Sequence, residues 1–139
     1  MRPDRREEGA VAGELYERLS AGPWAPAVAR DAVAEWLGDR TQTGDVVLAT
    51  SELVTNAVRH GGAEDDHIEL HATQRDSVIR VSVTQRDGPD RLPPGKLPPP
   101  TEEQRRGLAI VHVISDRWGV DAHAGMTVWF EVNLRERRN

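Results

Sequence analysis

The stretch TGDVVLATSELVTNAVRHG, residues 43–61, carries the clearest periodicity in the chain. Val46, Val47, Thr50, Leu53, Val54, Ala57 and Val58 fall on one arc at about 100° per residue, the spacing of an amphipathic helix. Asp45, Glu52, Asn56, Arg59 and His60 fall on the opposite arc, and Gly61-Gly62 supplies the stop. Glu52, Asn56 and His60 stand at i, i+4 and i+8, so they form one polar ribbon. Asparagine is a middling-to-poor helix former, and nothing structural asks for it in mid-helix. Periodicity alone still favours a plain solvated face, so a site on this ribbon needs a further argument.

Outward from this helix the chain alternates between helical and strand patterns. Leu15–Leu19 reads as a short strand. Pro23 and Pro26 mark the start of a helix whose apolar stripe is Ala29, Ala32, Val33, Trp36 and Leu37, with Gly38 as its stop. His67–Thr73 and Val78–Thr84 alternate around Gln74-Arg75-Asp76-Ser77, the pattern of a β-hairpin. Residues 87–100 hold six prolines and two glycines, so they form an extended loop of the kind that serves as a lid or a binding loop. Thr101-x-x-Gln104 resembles a capping box and opens a helix through Leu108, Ile110, Val111, Ile114 and Trp118, closed by Gly119. Thr127–Leu134 is a last strand with Val128, Phe130, Val132 and Leu134 on one face. The expected fold is α+β: a two-layer sandwich whose mixed, mostly antiparallel sheet is covered on one face by helices.

Composition narrows the classes of function. The 139 residues suit one domain; residues 13–134 are expected to form it, with tails at 1–12 and 135–139. A net charge of −5 disfavours sequence-independent nucleic-acid binding, which needs uncompensated Lys and Arg. There is no cysteine, so disulfides and thiolate chemistry are excluded. No apolar run approaches the roughly 18 residues that span a membrane, and the N-terminus lacks a signal core; a cytoplasmic protein is expected. His67 and His71 share a strand face about 13 Å apart, too far to grip one ion. Trp36 and Trp118 sit on helical stripes and read as core. Trp129 lies on the strand face opposite Phe130, exposed or turned towards a partner. The C-terminal Arg135, Arg137 and Arg138 read as a solvated end. Ser51 has no triad around it and reads as an ordinary helix residue.

The further argument comes from resemblance. ATSELVTNAVRHG (49–61) resembles the N-box of the GHKL, or histidine-kinase-like, ATPase superfamily, in particular its small stand-alone bacterial branch of anti-sigma factors with serine-kinase activity. RGLAIVHVISDRWG (106–119) resembles that branch's glycine box and the helix after it. GMTVWFE (125–131) is similar to its closing strand. The likeness spans about residues 13–134 and implies a Bergerat-type ATP-binding fold. It implies that Asn56 coordinates Mg2+ on the ATP phosphates, a role its hard amide oxygen suits. It makes Glu52 the general base or water-positioner. The lid would be about residues 87–106, with amides at Gly107 and the helix start facing phosphate and with Arg105 or Arg106 adding charge. His60 at the helix end and Leu108 after the glycine box belong to the same nucleotide-contacting set. Thr127 matches the threonine that helps hold the adenine-binding group.

The chain also departs from the pattern. The family's Asp after the third strand, which accepts a hydrogen bond from the adenine amino group, is replaced by Gln85; Asp87-Gly88 lies two residues later and serves only if the loop shifts register. Gln85 can still accept through its carbonyl, without the charge that strengthens the bond. Arg105 stands at the first glycine of the family's Gly-x-Gly pair, where a Cβ restricts the backbone, and Met126 stands at a position often basic. Three readings follow: an anti-sigma-like serine/threonine kinase using ATP and Mg2+, with a sigma factor and a small antagonist protein as partners; a binding module of the same fold that has lost turnover; or an ATPase domain with another client. Relatives of this branch often dimerise, so a homodimer is compatible with each.

Overall fold

The computed structural model describes residues 13–39, 42–61, 67–85, 102–121 and 125–134. The tails at 1–12 and 135–139, the lid segment through Thr101, and the Asp87-Gly88 alternative lie outside the described residues. In chain order the elements are β1 (Glu14–Ser20), α1 (Ala25–Leu37), α2 (Thr43–Gly61), β2 (His67–Arg75), β3 (Val78–Gln85), α3 (Glu102–Ile114), β4 (Arg117–Asp121) and β5 (Met126–Asn133). The strands form one sheet in the order β1-β2-β3-β5-β4. Antiparallel pairing was expected to dominate, and all four strand pairs are antiparallel. The fold is α+β, with three helices on this sheet.

The helix-covered face follows from strand parity. Leu15, Leu19, Ile68, Leu70, Ala72, Ile79, Val81, Val83, Phe130 and Val132 point one way and are buried. Ala25, Ala29, Val33 and Leu37 of α1 and Val46, Ala49, Thr50, Leu53, Val54 and Ala57 of α2 close over them. Proline in the first turn starts α1. Gly38 stops it: at φ 69° it takes a conformation that L side chains rarely adopt, and its amide bonds to the Ala34 carbonyl at 2.9 Å. Thr43 Oγ1 then donates to the Gly38 carbonyl at 3.0 Å, tying the entry of α2 to the exit of α1.

The open face of the sheet is polar. Arg80 stacks over the Trp129 ring at 4.1 Å and donates to Glu131 at 2.9 Å. Trp129 is therefore held by its own chain. The other edge of its indole meets Gly119, where a Cβ would stand 2.8 Å from the ring. Trp129 pairs directly with Gly119 across β4 and β5.

Gly119 thus corrects the sequence reading in which it closes the third helix. That helix ends at Ile114, and residues 117–121 are a strand, β4. The physical reason lies in Ser115 and Asp116. Ser115 Oγ bonds back to the Val111 carbonyl at 2.6 Å, beside its own amide's bond to the same oxygen, a pattern that bends and weakens a helix. The Asp116 amide donates to Glu131 O at 2.8 Å, and its carboxylate accepts from the Asn133 amide at 2.7 Å, drawing the chain alongside β5. Trp118 does pack on the core, but from β4 opposite Phe130 and not from a helical stripe.

Phe130 is the largest fully buried side chain. Phe130→Ala should cost about 3–5 kcal/mol, read in urea as a lower midpoint at an unchanged slope. A loss below about 1 kcal/mol would contradict the placement of the core given above.

Candidate functional site

Helix α2 lies across β3, β2 and β5, and α3 packs against α2. Its apolar arc is buried as the sequence requires. The polar arc is not simply solvated: Glu52 and Asn56 are both half-buried. The cause is α3, which crosses that side of α2 at Gly107. A Cβ built on Gly107 would lie 2.8 Å from Glu52 Oε1 and 3.7 Å from both Asn56 Nδ2 and Oδ1. Without a side chain, Gly107 lets the α3 backbone come this close to the carboxylate and the amide while leaving the carboxylate where it is. Glu52, Asn56 and Gly107, drawn from two separate sequence motifs, are thereby brought to one point.

This geometry changes what Gly107 contributes. Because α3 begins at Glu102, Gly107 lies in its second turn. Its amide is committed to the helical hydrogen bond four residues back, and the open amides belong to the first turn. Gly107 therefore supplies close approach and not the phosphate-facing N–H expected of it. Arg105 and Arg106 are exposed in the turn before it, and Leu108 is half-buried against the core. His60 continues α2 one turn beyond Asn56; its side chain lies outside the described residues.

Gln85 ends β3 at only 3% exposure, and its Oε1 has no hydrogen-bond partner among the described residues. Thr50 Oγ1 is also buried without a partner, but a threonine hydroxyl in a helix can turn to the carbonyl one turn back. An amide oxygen at a strand end has no such recourse. The cross-strand partners of Gln85 are Ile68 and Met126. Thr127 is one residue out of phase: it points to the open face and shares a 2.8 Å hydrogen bond with the Thr84 hydroxyl. The structure thus sets Met126, not Thr127, beside Gln85. Parity could have shown this, since Val128, Phe130 and Val132 already place every even residue of β5 on the covered face.

Ser51 is buried and accepts a hydrogen bond from Arg30 Nη1 at 3.1 Å, a tie between α1 and α2. Among the described residues no three His, Cys, Asp or Glu side chains gather as a metal cage. The oxygen donors at the α2–α3 crossing are one carboxylate and one amide. They fit a hard divalent ion that arrives with phosphate and water completing its shell. The unpartnered Gln85 carbonyl fits a ligand that brings a hydrogen-bond donor.

The comparisons with known proteins agree with this arrangement. The chain matches the histidine kinase-like ATPase domain family over residues 19–132, and it belongs to that family. Its fold is similar to that of the crystal structure of the RsbU and RsbW domains of Rv1364c from Mycobacterium tuberculosis, at TM-score 0.67 and 29% identity. That match covers 90% of this chain and 34% of the other, so the chain spans about a third of its structural relative. No curated protein matches significantly. Among the described residues no helix is long and apolar enough to cross a membrane.

The Gly107–Glu52 contact can be tested by coupling. Gly107→Ala should stabilise the protein by up to about 1 kcal/mol through helix propensity once Glu52 is cut to Ala, and by less when Glu52 is present. A double-mutant cycle of thermal or urea stability should return a coupling of at least about 0.5 kcal/mol. Equal effects in both backgrounds would mean that the two groups do not touch.

Proposed function

We propose that the chain is a regulatory Mg-ATP-binding protein of the anti-sigma type, which transfers the γ-phosphoryl group to a serine or threonine of a small antagonist protein. The observation that carries the reading is the convergence of Glu52 and Asn56, half-buried under Gly107. Membership of the ATPase family supports the nucleotide. Likeness to an RsbW domain supports a sigma factor and its antagonist as clients and, with them, a cytoplasmic setting.

Bound Mg-ATP would supply the transferable phosphoryl group. Asn56 offers an amide oxygen to the cation. Glu52, one helical turn earlier on the same ribbon, holds a carboxylate where it can take the proton of an attacking hydroxyl. The crossing of α3 shields both from bulk water, which strengthens charge interactions made there. Arg105 and Arg106 stand exposed immediately before Gly107 and can meet phosphate charge. Gln85 offers its free carbonyl to the base. Catalysis of this kind rests on positioning and charge neutralisation more than on covalent chemistry.

A second reading has its own observation. Gln85 is uncharged and its neighbour Met126 is apolar, so the base end is held less strongly than a carboxylate would hold it. On that reading the chain regulates by protein contact alone.

Titration of Mg-ATP into the protein separates the two. Binding in the range of about 0.1–1 mM is expected, a free energy near 4–6 kcal/mol, and Asn56→Ala should abolish it. With labelled ATP and an antagonist, Glu52→Ala should lose phosphoprotein formation by roughly 100-fold or more while still binding ATP. No wild-type binding at millimolar ATP would sink the kinase reading and leave the contact-only one.

A further inference from the structure

We infer that Gln85 makes the base end of this site indifferent to the substituent at C6 of a purine, so that the chain takes 6-oxo purine nucleotides as well as the 6-amino ATP. This rests on the nucleotide-binding reading above and specifies its substrate class.

Gln85 is 3% exposed, and its Oε1 lacks a partner among the described residues. A buried carbonyl without a donor costs about 1–3 kcal/mol, a cost that a donor on a ligand would remove. The direct neighbours of Gln85 on its own face are Ile68 and Met126, one on each side. Neither side chain carries a group that could hold the amide in one orientation. The nearest hydroxyls, on Thr84 and Thr127, bond to each other on the opposite face of the sheet. Rotation of the amide by half a turn, which exchanges Oε1 for Nε2, therefore meets no fixed polar partner on either flanking strand.

That freedom matters because an amide carries one acceptor and one donor side by side. Adenine presents a donor at its 6-amino group beside an acceptor at N1. A 6-oxo purine presents the reverse, an acceptor at O6 beside a donor at N1. One orientation of Gln85 complements the first and the flipped orientation complements the second. A carboxylate offers acceptors alone: it accepts from the 6-amino group, and a 6-oxo purine in the same pose would set O6 against negative charge. Discrimination by unpaired polar groups is the strongest form of selection a binding site has, and an amide that can flip gives it up.

The test is equilibrium titration of the magnesium salts of ATP, inosine triphosphate and cytidine triphosphate into the intact chain. Inosine triphosphate is the 6-oxo probe because it differs from ATP at the 6-position and N1 alone. Dissociation constants for ATP and inosine triphosphate should agree within about tenfold, a difference under about 1.4 kcal/mol, with cytidine triphosphate weaker than both. Gln85→Glu keeps the shape and replaces the donor by an acceptor; it should move the ratio at least about tenfold towards ATP. If the variant does not fold, the wild-type ratio decides alone. Tight ATP with inosine triphosphate more than tenfold weaker would overturn this inference and leave the nucleotide-binding reading standing. Equal binding of all three, or an unchanged ratio in a folded Gln85→Glu, would show that Gln85 does not read the base. No binding of any of them would sink both readings.

Discussion

One carbon without a side chain governs this molecule. At Gly107 the backbone of α3 rests against Glu52 and Asn56, and that contact converts a polar helix face into a half-enclosed pair of functional groups. Without α3 the ribbon on α2 would be what periodicity takes it for, a solvated surface. With α3 displaced by even one methyl group, the carboxylate would have to swing away. The same contact fixes where the α2–α3 layer can sit, because α2 is already bound to the sheet by Val46, Leu53 and Val54 on its other arc.

The sheet performs a matching division of labour. The fully buried hydrophobic side chains of its covered face are aliphatic apart from Phe130, and Gln85 closes the row at the end of β3. Its open face is polar and held by paired charges and the Arg80–Trp129 stack, as an antiparallel sheet with one wet side allows. Gln85 is thus a polar group placed in the apolar layer, where an amide is costly unless something bonds to it. Glycine serves twice to let bulky or charged groups come close: Gly107 for Glu52 and Gly119 for Trp129. In neither place is a turn required of it.

Much of this was legible before any coordinates. The helix at 43–61, the hairpin, the two-layer α+β class and the polar ribbon all follow from period and from the residues that punctuate it. The failures were of two physical kinds. The third helix was carried through to Trp118 because Leu108, Val111 and Ile114 keep helical spacing up to the point where Ser115 and Asp116 divert the backbone by hydrogen bonds to Val111, Glu131 and Asn133. Bonds to a distant strand leave no local trace. The neighbour of Gln85 was missed for a different reason. The resemblance drew attention to Thr127, whereas the parity of Val128, Phe130 and Val132 sets Met126 beside Gln85. Here the information was present, and a resemblance in letters outweighed a two-residue period.

The chain departs from its family's pattern at both ends of the candidate site, with Arg105 before Gly107 and with Gln85 and Met126 on the strands. Glu52, Asn56 and Gly107, the proposed phosphate end, are retained together, and a side chain at Gly107 would move the Glu52 carboxylate. Gln85 and Met126, the proposed base end, sit on strands whose backbone pairing is indifferent to what the side chains carry. A sheet register tolerates Gln for Asp or Met for a polar residue at a strand end, since the ladder bonds are made by the main chain. At the helix crossing a Cβ on Gly107 would stand 2.8 Å from Glu52 Oε1, so a side chain there makes the end of that carboxylate shift. On the proposed reading the phosphate end is therefore constrained by packing as well as by chemistry, while the base end is constrained less by its backbone. On that reading, changes in what the chain binds should come at Gln85 and Met126, and changes in turnover at the α2–α3 crossing.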